Sequence, residues 1–235
     1  MPPVVILAGG LATRLYPATK TLPKSLLTVA GKPFIHYQLA LLREKGIRHV
    51  ILCVGYLGEM IEEYVGDGSR WGLELRYSYD GNVLLGTGGA VKKALTLLPD
   101  TFFILYGDSY LDIDYNAVIE HFYDAGLPVL MTIYRNRNAF DSSNILMESG
   151  KIVKYDKESR DPALEYIDYG FIVVRKGVFS PYHANEPFDL SLVLTRMADS
   201  GQVAAFEVEQ RFYEIGSTQG ILETEEYIRN RTPSS

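Results

Sequence analysis

Short apolar runs alternate with amphipathic stretches through the first 135 residues, and this alternation restricts the fold more than any other feature of the chain. Residues 4–8 (VVILA) form a continuous apolar run, the pattern of a strand buried on both faces. Residues 33–45 have helical periodicity, with Pro33 in the first turn and Gly46 just past the end. His49–Val54, 73–79, Thr101–Tyr106 and 129–134 read as further strands, and Gly58–Val65, 89–98 and Tyr115–Ala125 as the helices between them. Strand–helix–strand units cross over right-handedly and place helices on both faces of a parallel sheet. The expectation is an α/β fold: a Rossmann-like, doubly wound, mixed but mostly parallel sheet.

The second half changes character. Residues 144–147, the pair Ser149-Gly150 and Lys151–Tyr155 read as a hairpin. Tyr166–Arg175 and Val203–Val208 read as extended, 189–200 and 217–229 as helices, with Ser217 as an N-cap. No repeat, low-complexity segment or Pro/Gly/Ser linker separates the halves. The chain therefore reads as one domain, residues 1–235, with a lobe appended to its sheet.

A hydrophobic content of 47% and a charged content of 22% are those of an ordinary soluble globular protein. The net charge of −6 argues against nucleic-acid binding, which needs a basic footprint. The single cysteine, Cys53, lies inside an apolar run and reads as core filler; one cysteine permits no disulfide within the chain, which fits a reducing compartment. No leader-like basic and apolar segment and no run long enough to span a membrane are visible, so the expected location is cytoplasmic, with no membrane partner.

In parallel α/β sheets, ligands bind beyond the carboxyl ends of the strands. The loops there are unusual. Gly9-Gly10-Leu11-Ala12-Thr13-Arg14 follows the first strand: glycines let a backbone approach phosphate, and Arg14 carries a planar fork of donors. It is neither a P-loop nor a dinucleotide fingerprint, and alone it is equally a tight turn beside a solvated arginine. Pro23-Lys24 follows in the same loop; a lone lysine is ordinarily a solvated charge, and its neighbourhood to Arg14 raises the other reading. Leu85-Gly86-Thr87-Gly88-Gly89-Ala90 opens a helix, where free N–H groups suit a polar ligand, or where glycines simply permit close packing. Gly107-Asp108 ends another buried strand, and Asp108 suits either a hard cation or a turn cap. Asp112 and Asp114 read as solvated or as a helix cap.

Taken together, these four loops resemble the sugar-phosphate nucleotidyltransferases, or nucleotide-sugar pyrophosphorylases. That family carries L-A-G-G-x-G-T-R-L-x-P-x-T, then P-K, then L-G-T-x-G, then G-D, in this order. The resemblance covers essentially the whole chain. It implies the nucleotide-diphospho-sugar transferase fold, with residues 1–135 binding the nucleotide and 136–235 the sugar phosphate. It implies transfer of a nucleotidyl group from an NTP to a sugar 1-phosphate, with Mg2+ as cofactor. By resemblance, Leu7, Ala8, Gly9, Gly10 and Thr13 would wrap the nucleotide, and Gly86, Thr87, Gly88 and Gly89 would border base and ribose. Arg14 and Lys24 would be the catalytic cations, Arg14 on the leaving pyrophosphate and Lys24 on the α-phosphate or the sugar phosphate. Asn144, Lys157, Asp168 and Gly170 would bind the sugar phosphate, and Asp108 and Glu214 the metal.

The resemblance is nearest to short heptose- and mannose-1-phosphate guanylyltransferases and N-acetylmuramate-1-phosphate uridylyltransferases. The Gly86-Thr87-Gly88-Gly89-Ala90 run leans towards GTP with heptose or mannose 1-phosphate. Use of UTP or CTP on another sugar, polyol or amino-alcohol phosphate is the alternative, and a catalytically silent regulatory subunit is the alternative of another class. A homo-oligomer stays open. Three departures stand out. Ala12 replaces a glycine, which predicts a loop less free to reach positive φ; Glu214 stands where the family has aspartate; Asp156 and Asp168 alter the sugar pocket.

Overall fold

Residues 1–159 and 161–231 are described by the computed structural model. In chain order the first half contains β1 (Val4–Leu7), β2 (Thr28–Val29), β3 (Lys32–Pro33), α1 (Phe34–Glu44), β4 (His49–Val54), α2 (Gly58–Val65) and β5 (Glu74–Tyr79). It continues with α3 (Gly86–Ala94), β6 (Thr101–Tyr106), β7 (Ser109–Tyr110), α4 (Tyr115–Ala125) and β8 (Val129–Arg135). The second half adds β9 (Ile145–Glu148), β10 (Lys151–Tyr155), β11 (Tyr166–Arg175), α5 (Leu190–Asp199), β12 (Val203–Val208), β13 (Tyr213–Glu214) and α6 (Thr218–Arg231).

The unbroken apolar run of β1 has a direct cause. The strand lies between β4 and β6, with Ile6 opposite Leu52 on one side and Leu105 on the other, and Val4, Val5 and Ile6 are all fully buried. A central strand covered on both faces has no wet side to encode. One face of the sheet packs on α1, α2 and α4 through Leu39, Ile61 and Phe122; the other packs on α3 and α5 through Val91, Val193 and Leu194. Helices on both faces were expected.

The expectation of a mostly parallel sheet fails. Among the described residues the main sheet has nine strands, in the order β5-β4-β1-β6-β11-β8-β12-β10-β9. Only β5–β4, β4–β1, β1–β6 and β8–β12 pair in parallel. The pairs β6–β11, β11–β8, β12–β10, β10–β9 and β9–β11 are antiparallel, so antiparallel pairing predominates. The long strand β11 returns between β6 and β8 without a helical crossover. The β9–β10 hairpin turns at Ser149 (φ 49°) and Gly150 (φ 76°), the positive angles that a tight two-residue hairpin requires. Because β9 also meets β11 at Ile145–Tyr166, the strands of the second half curl towards a closed barrel.

Local signals near the helices hold with small shifts. Asp114 caps α4, accepting the Asn116 and Ala117 N–H groups, and the Ser217 hydroxyl accepts the Gly220 N–H at the start of α6. The helix expected over 89–98 begins earlier, at Gly86, and tightens into a 3-10 turn over Leu95–Leu97. Cys53 is buried core, and burial pushes its thiol pKa well above the ordinary value. Asp112 is a correction: it is not solvated. Its carboxylate receives Lys45 Nζ at 2.6 Å and Arg231 Nε at 2.5 Å, and Arg231 also reaches Glu44 at 2.6 Å. These ion pairs fasten the end of α6 to α1, while Ile228 joins Phe34 and Leu41 in a small third core.

Burial works to raise the Asp112 carboxyl pKa, but the hydrogen bonds from Lys45 and Arg231 outweigh it and hold it below the usual value. A depressed folded-state pKa stabilises above the unfolded value, near 4 by reference (~3.9), and the gain is lost as pH falls through the folded value. Asp112→Asn is therefore expected to lose about 1–3 kcal/mol at pH 7, with the loss shrinking in strong acid. Urea unfolding of both proteins across pH measures this, and an equal deficit at every pH would contradict it.

Candidate active site

Because β1, β4, β5 and β6 run parallel, their carboxyl ends share one edge of the sheet. The loops leaving that edge enclose a cavity of about 480 Å³. Leu7, Ala8, Gly9, Gly10, Thr13, Lys24, Gly86, Thr87 and Asp108 all line it, as does Asp80 at the end of β5. The glycines matter where backbones touch. A Cβ on Gly9 would stand 3.0 Å from the Gly55 nitrogen, and one on Gly107 would overlap the Leu7 carbonyl, whose oxygen accepts the Gly107 N–H at 3.0 Å. Ala12 corrects an expectation: it adopts φ 50° and ψ 44° without being glycine. Its carbonyl is held by the Thr19 hydroxyl at 2.8 Å, one tie that helps the loop carry a conformation unfavourable by roughly 1–2 kcal/mol for an L-residue.

A second cavity, about 840 Å³, opens on the other side of the β6 end. Arg14, Asn144, Lys157, Asp168, Gly170 and Glu214 line it. Tyr106 and Asp108 line both cavities, so the two adjoin at the end of β6. At this junction Lys24 Nζ lies 2.8 Å from Asp108 Oδ2. A Cβ built on Gly216 would fall 3.4 Å from Lys24 Nζ and 3.5 Å from Arg14 Nη2, which brings both cations to the β13–α6 turn. That turn is tied to the Asp108 loop: β7 pairs with β13, and the Ile215 N–H donates to the Asp108 carbonyl at 2.9 Å.

The two expected metal carboxylates differ. Among the described residues Asp108 Oδ1 has only the Ser109 hydroxyl at 3.4 Å, whereas Glu214 accepts the Gly216 N–H on one oxygen and the Ser217 hydroxyl, at 3.1 Å, on the other. Among the described residues no group of three or more metal-binding side chains assembles. One or two carboxylates completed by substrate phosphates and water is the donor set Mg2+ takes, so Asp108 fits that ion; Glu214 fits it only by releasing its own turn or acting through water.

Asp168 is the hub of the second cavity. It accepts the Tyr106 and Tyr155 hydroxyls at 3.2 Å each and the Gly170 N–H at 2.9 Å, while its own N–H donates to Asn144 Oδ1 at 3.0 Å. Burial raises its pKa, and the charge of Lys157 and these hydrogen bonds oppose the rise. Lys157 lies 5.5 Å from the Tyr106 ring centroid and 3.6 Å from Asp189.

The alignment of the chain with known proteins decides what this edge belongs to. Residues 3–230 match the model of the nucleotidyl transferase family. The chain belongs to that family. It is 30% identical over 214 residues to a UTP–glucose-1-phosphate uridylyltransferase of Synechocystis sp., covering 84% of this chain but only 55% of the relative. It is 28% identical over 213 residues to a D-glycero-alpha-D-manno-heptose 1-phosphate guanylyltransferase of Campylobacter jejuni, covering 90% of this chain and 93% of that one. The fold matches the structure of HddC from Yersinia pseudotuberculosis complexed with GMP-PN, with a TM-score of 0.82 and 24% identity over 97% of this chain and 100% of that one.

Two expected nucleotide contacts lie elsewhere. Gly88 and Gly89 do not line the first cavity. They press against the 186–189 segment, and both of their N–H groups donate to the Phe188 carbonyl, at 3.0 and 3.2 Å. Thr87, at the cavity wall, also faces that segment: its hydroxyl donates to Asp189 and accepts the Leu190 N–H at 2.8 Å. Here the glycine-rich run permits α3 to dock on the start of α5.

Sequence reasoning left Ser25, Gln38 and Arg211 unassigned and placed Asp80 only within the stretch 80–85 expected to frame the base. Asp80 is 8% exposed; its Oδ2 accepts the Leu85 N–H at 3.1 Å. Burial raises its pKa. Ser25, beside Lys24, has a buried hydroxyl at the wall of the first cavity with no hydrogen-bond partner among the described residues. Gln38 and Arg211 come from distant segments; Arg211 stacks 4.1 Å over Phe140 and pairs with Glu223 at the rim of the second cavity. Only Asp80, just past a strand at the active edge, and Ser25, inside the motif, carried any signal.

Gly86 sits at φ 68°, and a Cβ there would lie 2.7 Å from the Phe188 carbonyl oxygen. Gly86→Ala is expected to destabilise the protein by about 1–3 kcal/mol, from backbone strain and overpacking together. Chemical denaturation measures it; a neutral outcome would mean that the α3–α5 junction yields easily.

Proposed function

We propose that this protein transfers a nucleotidyl group from an NTP, preferentially GTP, to a sugar 1-phosphate, of the heptose or mannose kind, releasing pyrophosphate. The observation that carries this reading is the meeting of two cavities at Asp108, with Lys24 and Arg14 converging on the same junction. A nucleotide in the first cavity and a sugar phosphate in the second would face each other there. A sugar-phosphate oxygen attacks the α-phosphorus, a new P–O bond forms, the bond from the α-phosphorus to the bridging oxygen breaks, and pyrophosphate leaves with that oxygen.

A phosphate monoester has its second pKa near ~6, so the attacking oxygen is ionised at neutral pH and needs no general base. The difficulty is bringing two anions together in line. Lys24 and Arg14 supply fixed positive charge at the junction, and Lys157 would hold the sugar phosphate from the far side. Bound at Asp108, Mg2+ would neutralise phosphate charge. The orphaned Ser25 hydroxyl supports a polar ligand in the first cavity. Lys24→Ala is expected to lower the rate of pyrophosphate release about 10²–10³-fold in a protein that still folds. Turnover close to the native rate would overturn the role given to Lys24.

Base preference rests on Asp80. Guanine presents two adjacent N–H donors on its Watson–Crick edge, and a carboxylate accepts both; uracil presents one donor between two acceptors. Asp80 lines the first cavity with Oδ2 turned to Leu85 and no described hydrogen bond to Oδ1. The guanylyltransferase relatives are consistent with this reading. Asp80→Asn is expected to lower kcat/KM for GTP relative to UTP by about 10–100-fold, the range of a hydrogen bond to a charged group. An unchanged ratio, measured with both triphosphates, would remove Asp80 from base selection.

A further inference from the structure

Gln38 lies in the middle of α1, 1% exposed, between the apolar positions Ile35, Leu39 and Leu42. A helix face of this kind ordinarily carries another leucine. The amide does not serve its own helix. Its Nε2 donates to the Tyr106 carbonyl at 3.1 Å and to the Ser109 carbonyl at 2.7 Å. These two carbonyls bracket Gly107-Asp108, the turn that carries the carboxylate shared by both cavities. Among the described residues the buried amide oxygen Oε1 has no partner.

Leaving a buried acceptor unsatisfied costs roughly 1–3 kcal/mol, and an apolar side chain of the same length would avoid it. The two donated bonds are what the amide offers in return. The turn leaves β6 on one side and enters the short strand β7 on the other. Its backbone is held by Leu7, which accepts the Gly107 N–H, and by Ile215, which donates to the Asp108 carbonyl. The Tyr106 and Ser109 carbonyls end on Gln38. One side chain from α1 thus helps fix the backbone on both sides of Asp108.

We propose that Gln38 is a positioning residue: by clamping the Tyr106 and Ser109 carbonyls it fixes the Asp108 carboxylate for a divalent cation. This rests on the reading of Asp108 as a cation ligand. The test is direct binding of Mn2+ to the full chain, with free Mn2+ followed by electron paramagnetic resonance. Gln38→Met fills the same space with no donor, and is expected to weaken Mn2+ binding about 10–100-fold, the usual effect of losing a group that orients a ligand. Asp108→Asn, measured beside it, is expected to abolish that binding. Gln38→Leu, shorter and equally without a donor, serves in the same way should the methionine variant lose its fold. Native-like Mn2+ affinity in a folded Gln38 variant, with binding abolished in Asp108→Asn, would overturn the inference for Gln38 alone. Native-like affinity in Asp108→Asn would overturn the cation role of Asp108 and the inference with it.

Discussion

The contact between Lys24 and Asp108 joins two pieces of chain that have no reason to meet otherwise. Lys24 belongs to the long loop after β1, and Asp108 to the turn after β6. Their strands are neighbours in parallel register, so both loops leave from the same edge. The pair is partly buried, at 16% and 28% side-chain exposure, where charges are screened less than at the surface. Each needs the other: an unpaired ammonium or carboxylate at that depth is unfavourable unless a ligand replaces the partner. A phosphate would replace Asp108 for Lys24, and a cation would replace Lys24 for Asp108, so the pair is poised to exchange partners with a phosphate–cation complex.

Around this contact the two halves of the sheet do different jobs. The parallel half ends its strands together and supplies loops free of ladder hydrogen bonds, which line the smaller cavity. The antiparallel half supplies β11, whose strand crosses the mouth of the sheet beside β6 and carries Asp168 and Gly170 into the larger cavity. Asp168 anchors Tyr106 and Tyr155 by their hydroxyls, and Tyr106 stands at the wall shared with the nucleotide side. The short segment after β13 meets Lys24 and Arg14 at the junction and leads into α6, whose end the Arg231–Glu44 ion pair fastens to α1.

Much of this was legible in the chain. The apolar runs of β1, β4 and β6 read as buried strands because no face of them meets water, and the ordered set of loop motifs pointed to the edge where two cavities adjoin. Other readings failed for identifiable reasons. The parallel sheet was extrapolated from strand–helix alternation, but β11 has the same apolar character in either direction, since strand direction leaves no trace in side-chain pattern. The Gly86–Gly89 run suggested a ligand-facing helix start because glycine permits close approach; the approaching groups are the Phe188 ring for Gly88 and the Glu186 carbonyl for Gly89, more than ninety positions along the chain. Asp112 was read as wet because its two cationic partners come from α1 and from the end of α6.

The sequence by itself determined the strands and helices, the loops rich in glycine and cation, and the family to which their order belongs, because these are encoded over a few residues by periodicity, turn chemistry and spacing. Only the tertiary structure decided which way β11 runs, that Asp108 stands between two cavities, that Gln38 from α1 holds its turn, and that the Glu214 carboxylate is folded into its own turn. Those outcomes depend on contacts between segments far apart in the chain, where geometry is fixed by how complete layers pack and where no local pattern of residues records the partner.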